Sequence, residues 1–221
     1  RVGNEAGGNG LETTQLSNFT ATSDNSGAKE LWRGPWAGIS RTNWILTNID
    51  KSPKISDAKK TQYKGEAHFL RGLYYFNLVR LFGDVPWIDK QQTASDDLQV
   101  SRTSKDIVYQ HIIDDFSDAA SMLPAVYENT TDIGRATKGA AFGLLAKVYL
   151  TLKRYNETLV AIDSVMNLGV YSLNRKYEWN FSDLRENGPE SLFEVQYEKD
   201  VTAYSEFDIL GQGGWHHEYM A

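Results

Sequence analysis

The chain has 221 residues, with 23 Lys and Arg against 29 Asp and Glu and a formal charge of −6. That length supports one sizeable hydrophobic core, and the acidic balance, with no basic stripe, argues against electrostatic capture of nucleic acid. The absence of cysteine excludes disulfide frameworks, thiolate nucleophiles and cysteine metal sites. The aromatic inventory, six Trp, twelve Tyr and nine Phe, exceeds what most helical cores need and points to rings at a surface.

Residues 1–28 are rich in Gly, Asn, Ser and Thr, so they are expected to form an irregular polar segment. The start at Arg1, with neither Met nor an apolar leader, is expected to reflect export processing or truncation, and the end at Ala221 reads as a cut. A first helix is predicted over about 31–50, where Trp32, Trp36, Ile39, Asn43, Leu46 and Ile49 recur at steps of three and four. Pro35 either begins it or kinks it. The second helix, about 57–82, carries the stripe Tyr63, Ala67, Leu70, Tyr74, Leu78 and Leu81. Phe69, Leu73 and Phe76 widen that stripe to a second face, which requires cover on two sides. Gly83 supplies a left-handed C-terminal residue and Pro86 prevents resumption.

After a polar loop, Thr103 and Asp106 have capping-box spacing. A third helix then carries Tyr109, Ile112, Ile113, Phe116, Ala119, Ala120 and Leu123, and Pro124 ends it. Thr137 is placed to cap a fourth helix with Ala141, Leu144, Leu145, Val148, Tyr149 and Leu152. A tight connection at 153–156 leads into a fifth, with Leu159, Ile162, Val165 and Met166, ending at Gly169. Beyond it 171–188 looks irregular, and 191–197 alternates with Phe193, Val195 and Tyr197 on one side, which predicts a short strand.

The fourth and fifth helices have the spacing of a tetratricopeptide unit. Phe142, Leu145, Ala146, Tyr149, Thr158, Ile162 and Val165 occupy its alternating large and small positions, although Thr158 and Val165 depart from the small alanines. One such unit cannot bury its apolar faces alone, so stacking of two pairs plus the third helix is expected, with an open end. The predicted fold is mainly α: tetratricopeptide-like helical pairs, an irregular C-terminal segment and a short β-strand. The whole of 1–221 is taken as a single helical domain, with a repeat core over 29–169 and an irregular segment with the strand over 170–221. A generic helical bundle is the bland alternative.

Catalytic groupings are weak. His68 sits beside Phe69 within a helix and reads as packed or surface histidine, and Asp114, Asp115 and Asp118 read as a solvated helix face. Glu186, Glu190 and Glu194 are carboxylates whose separation nothing fixes. His216, His217 and Glu218 offer metal ligands, but adjacent strand histidines face opposite ways and no third ligand follows at a suitable spacing. Gly211 to Gly214 lacks the strand-to-helix frame of a phosphate loop. The expectation is therefore no enzyme, no metal and no cofactor.

Exposed aromatic residues on irregular backbone suit sugars instead. Covering roughly 60–80 Å² of apolar sugar face contributes about 1.5–2 kcal/mol per ring. Trp215, after its glycines, with His216 and Tyr219, is the candidate ligand-binding set; plugging the scaffold is the alternative role for Trp215. Trp32 and Trp36 fit the core better, as does Trp87.

The run Lys64-Gly65-Glu66-Ala67-His68-Phe69-Leu70-Arg71-Gly72-Leu73-Tyr74-Tyr75-Phe76-Asn77-Leu78-Val79-Arg80-Leu81-Phe82-Gly83-Asp84-Val85-Pro86 resembles the signature helix of the SusD/RagB family. Arg41-Thr42-Asn43 with Ile45-Leu46, Gly134 to Ala141 with Leu145 to Leu150, and Glu190 to Tyr197 resemble three further family segments in the same order. Together these cover roughly residues 30–200. The resemblance implies a SusD-like α superhelix that binds glycan without catalysis at the bacterial outer-membrane surface. It also implies delivery to a SusC-like TonB-dependent transporter and membrane attachment only through a lipid on an N-terminal cysteine, which this chain lacks. A peptide or another nutrient is an alternative ligand. A protein-interaction scaffold with no saccharide affinity is the alternative function.

Overall fold

The computed structural model describes residues 11–93, 95–96, 98–182 and 185–196. The described residues divide into two compact units, 11–37 and 38–196.

In the first unit, α1 (Leu11–Ser17) is a helix inside the segment expected to be irregular. Asn25 then caps α2 (Ser26–Asn48): its Oδ1 accepts from Ala28 N at 2.9 Å and its Nδ2 donates to Gln15 Oε1 at 2.9 Å. This satisfies one of the orphan donors of the helix start and accounts for an Asn only 3% exposed. Pro35 lies inside α2 rather than at its start. Gly34 precedes it, and without a Cβ the clash that proline imposes on its predecessor is reduced.

The second unit is a run of helices that pack in sequence. α3 (Asp57–Phe82) lies on α4 (Lys105–Met122), α4 on α5 (Lys138–Thr151), and α5 on α6 (Tyr155–Met166). Ser56 caps α3 by accepting from Lys59 N. Gly83, at φ 69°, ends it in a left-handed conformation that a side chain would strain. The expected tetratricopeptide-like pair of the fourth and fifth helices is α5/α6, while the third helix of the sequence, α4, expected to stand beside two pairs, packs on both α3 and α5.

The core runs along the α3–α4 seam, where Phe69, Tyr75, Phe76, Leu78, Ile112 and Phe116 are each 1% exposed or less. Helix axes approach closely there because α3 presents glycines. A Cβ on Gly72 would stand 3.1 Å from the Phe116 ring, and one on Gly65 2.9 Å from Leu123 Cγ. On the second face inferred for α3, Phe69 and Phe76 are buried and Leu73 is half-buried; on the main stripe Ala67 and Leu78 are buried, whereas Leu81 is 56% exposed.

Two local expectations change. Thr103 and Asp106 do not form a capping box: the N-cap of α4 is Ser104, with no side-chain cap. Thr103 is occupied elsewhere, donating its N–H to Val85 O at 3.0 Å and accepting from Trp87 N through Oγ1 at 3.3 Å. Asp84 Oδ1 accepts from Lys105 N at 2.8 Å instead. The strand expected over 191–197 is not formed within its described residues, 191–196. Phe193 packs edge-on against Phe69 at 4.9 Å while Val195 is 54% exposed, so the alternation does not sort onto one face. Among the described residues the isolated β-bridge joins Val85 and Thr103. No helix of the described residues is long and apolar enough to cross a membrane.

Candidate functional site

A buried polar network of the second unit lies between residues 38–48 of α2, α3 and α4. Arg71 is 8% exposed, and it meets Asp115, 2% exposed, through two parallel bonds: Nε to Oδ2 at 2.9 Å and Nη2 to Oδ1 at 2.7 Å. Its Nη1 donates to Asn43 Oδ1 at 2.9 Å and to Asp89 O at 3.1 Å. His68 Nδ1 also hydrogen-bonds Asp115 Oδ1, at 2.7 Å. A guanidinium and a carboxylate this far from water are tolerated only when paired and hydrogen-bonded on every side. Asp115 is thus not part of a solvated acidic face, although Asp114 and Asp118 are exposed.

What this network holds is the turn after α3. Asn43 Nδ2 donates to Ile88 O at 2.8 Å, Ile88 N donates to Tyr75 Oη at 2.8 Å, and Gln91 N donates to Thr47 Oγ1 at 3.2 Å. Burial pushes the Tyr75 phenol well above its ordinary range. Trp87, on that turn, lies 4.3 Å from the His111 ring at an interplanar angle of 12° and 4.3 Å from the Tyr75 ring. The Arg71 guanidinium is 5.3 Å from the Trp87 ring centre. Trp87 is therefore an anchor for the turn. Arg71 and Asp115 are buried and hydrogen-bonded to each other and to the elements around them, and the network holds the turn in place.

A cleft of about 260 Å³ opens between the 125–137 loop and the 187–194 segment. Ile133, Val170, Leu192 and Phe193 line its apolar side, and Tyr127, Tyr171, Asn187 and Glu194 its polar side. Tyr127 donates through its hydroxyl to Ala136 O at 2.9 Å and Glu66 Oε1 at 3.2 Å, and burial with Glu66 beside it raises its pKa. Arg135 Nη1 closes the same corner on Glu66 Oε2 at 2.9 Å. The volume is below the roughly 300–1,000 Å³ of sites that enclose a drug-sized ligand. It suits one small ring or side chain.

The carboxylates considered for glycoside chemistry are not brought together as an acid–base pair. Glu190 Oε2 accepts from Asn174 N and Glu194 Oε2 from Asn187 N, each at 2.9 Å, so both tie loops, and Glu186 is exposed. Trp32 and Trp36 form an edge-on pair at 5.3 Å. Trp215, His216 and Tyr219, like His217 and Glu218, lie outside the described residues. Among the described residues no three His, Asp or Glu side chains are grouped to hold a metal ion.

Several exposed aromatic residues were not singled out by the sequence, Phe19 the barest of those described. Phe19, in the first unit, is 97% exposed and has φ 57°. A bulky residue in that conformation stores strain of order 1–3 kcal/mol. The turn holds it there through Asn18 N to Thr14 O, Phe19 N to Leu16 O and Thr20 N to Gln15 O bonds. A lone aromatic in a polar stretch was its one visible signal.

The family model described as "Starch-binding associating with outer membrane", SusD-like, matches residues 4–150. SusD-like protein P25 of Formosa agariphila is 26% identical over 185 residues, covering 84% of this chain and 35% of the relative. A solved SusD-like protein from Bacteroides fragilis aligns with a TM-score of 0.77 at 30% identity, over 84% of this chain and 37% of that one. A solved laminarin binding SusD-like protein aligns with a TM-score of 0.76 at 29% identity, over 83% and 40%. The chain spans about a third of the length of the curated relatives it matches.

Proposed function

Because this chain belongs to the SusD-like family, we propose that it is part of a non-catalytic glycan-binding protein of the bacterial outer-membrane surface. In this reading the helical pairs are a rigid platform, and ligand is held by aromatic rings displayed on irregular backbone. The observation that carries it is the family match over residues 4–150 together with structural likeness to a laminarin-binding protein. The captured glycan passes to a SusC-like TonB-dependent transporter, and attachment to the membrane is through lipid. The scaffold without saccharide affinity is not favoured, since the family description itself is starch-binding.

Trp215, with His216 and Tyr219, is the proposed ring platform, and Phe19 is a further exposed ring on irregular backbone. Two or three platforms, less the ordering cost of binding, suggest a Kd between millimolar and about ten micromolar. A glycan array followed by calorimetry on the full-length protein tests this. The expected result is saccharide binding in that range, weakened about tenfold in Trp215→Ala with an unchanged melting temperature. Absence of binding to any saccharide, with binding to a transporter peptide, overturns it.

A further inference from the structure

Beyond α6 the chain makes a 3₁₀ turn over Tyr177–Phe181, within the second unit. Its three aromatic residues divide into one that is held and two that are bare. Trp179 is half-buried, and the Arg185 guanidinium lies 3.7 Å from its ring centre. Tyr177 and Phe181 are 78% and 69% exposed, yet their ring centroids are only 5.2 Å apart at 64°. Four residues apart on a short turn, the two rings meet as neighbours and together make an apolar surface that water covers.

The segment leading into the turn is tied to the 189–190 stretch, and the turn is closed by a bond of its own. Asn174 N donates to Glu190 Oε2, Ser172 N to Pro189 O and Trp179 N to Lys176 O. Asn174 also donates its side-chain amide to Asn180 Oδ1, and Asn180 is exposed and adjacent to Phe181. Charges around the rings are mixed, and Lys176 pairs with Glu178 at 3.3 Å. Two bare rings with amides beside them and balanced charge suit an uncharged ligand that has an apolar face and a rim of hydroxyls.

We propose that Tyr177 and Phe181 form a saccharide platform for a pyranose ring of a neutral glucan, separate from Trp215. This rests on the glycan-binding reading above. Stacking a sugar face on an exposed ring pair needs no ordering of the protein, because the rings already contact each other. With the ring planes 64° apart, a pyranose lies on one ring and meets the edge of the other, and the pair together is expected to contribute about tenfold to affinity.

The test is calorimetric titration of laminarin and of maltoheptaose into the full chain. It compares wild type, Tyr177→Ala/Phe181→Ala, Tyr177→Phe/Phe181→Tyr and, as an exposed aromatic elsewhere, Tyr155→Ala, each with a thermal melt. The expected result is Kd at least tenfold weaker in the double alanine variant for one or both glucans, with Tm within about 2 °C of wild type. The aromatic-for-aromatic variant and Tyr155→Ala should keep wild-type affinity. Unchanged affinity in the double alanine variant overturns the proposal and leaves the glycan-binding reading standing. So does lost affinity accompanied by a large fall in Tm, which would make the pair packing residues. Failure of wild type to bind either glucan overturns the proposal, and failure to bind any saccharide of the glycan array as well overturns both.

Discussion

The α3–α4 seam and the outer side of α6 are both read in the sequence as apolar stripes, and they end in opposite situations. Along α3 and α4 the large side chains are the buried ones, with glycines and alanines bringing the axes together. In α6 the buried residues are Thr158, Ala161 and Val165, while Tyr155, Leu159, Ile162 and Met166 are 44–65% exposed. At 100° per residue those four fall on one line, a quarter turn from the buried three. Periodicity therefore identifies a helix and its stripes, but the side that is covered depends on which face the neighbour meets. In α6 the neighbour α5 takes the small side chains, because a close crossing needs them.

The comparison breaks most visibly at Asp115. Asp115→Ala leaves the Arg71 guanidinium buried without its partner and is expected to destabilise by about 3–5 kcal/mol. Asp114→Ala, one residue away but exposed, should fall within about 0.5 kcal/mol of wild type. Urea unfolding of both variants measures the difference. Equal effects would show that Asp115 is as solvated as its neighbour.

Tyr75→Phe should cost about 1–3 kcal/mol, since Ile88 N loses its acceptor in a buried setting. Tyr75 also gives the seam a pH dependence. Its folded-state pKa lies above the ordinary value of 10.0, so the folded state keeps the proton that the unfolded chain releases. The associated stability is complete below about pH 10 and is lost as pH rises further. Unfolding free energies measured at pH 8 to 11 should fall in wild type and fall less steeply in Tyr75→Phe.

Helix starts sharpen the same contrast on a smaller scale. Thr137 Oγ1 accepts from Ala140 N at 3.1 Å, so Thr137→Ala should destabilise by about 1 kcal/mol. Ser104→Ala should be near neutral, because that side chain makes no cap bond. The smallest effect is expected on the bare side of α6. Leu159→Gln should change stability by at most about 0.5 kcal/mol, while Val165→Ala on the covered side costs about 1 kcal/mol or more. Thermal melts of the pair decide which face is packed.

Much of the scaffold was legible. The breaks at Pro86 and Pro124, the Gly83 terminus and the Thr137 cap are local signals, and local backbone chemistry is enough to place them. The ion pair was not legible, because Arg71 and Asp115 are 44 residues apart and three aspartates on one helix look alike in sequence. Thr103 and Asp106 had the right spacing for a capping box, and Thr103 was drawn instead into the bridge with Val85. Phe193, Val195 and Tyr197 alternated as in a strand, but no partner strand accompanies 191–196 among the described residues, and a strand without a partner leaves its backbone unpaired.

By itself the sequence determined the five longer helices, the pairing of the last two and the family, since all three follow from periodicity, caps and ordered motifs along the chain. Tertiary structure alone decided which carboxylate is buried, which face of α6 is bare, and that Tyr177 and Phe181 meet in the open. The physical reason is range. Helix formation is set by residues within a turn or two, whereas burial is set by whatever segment, however distant in sequence, comes to lie alongside.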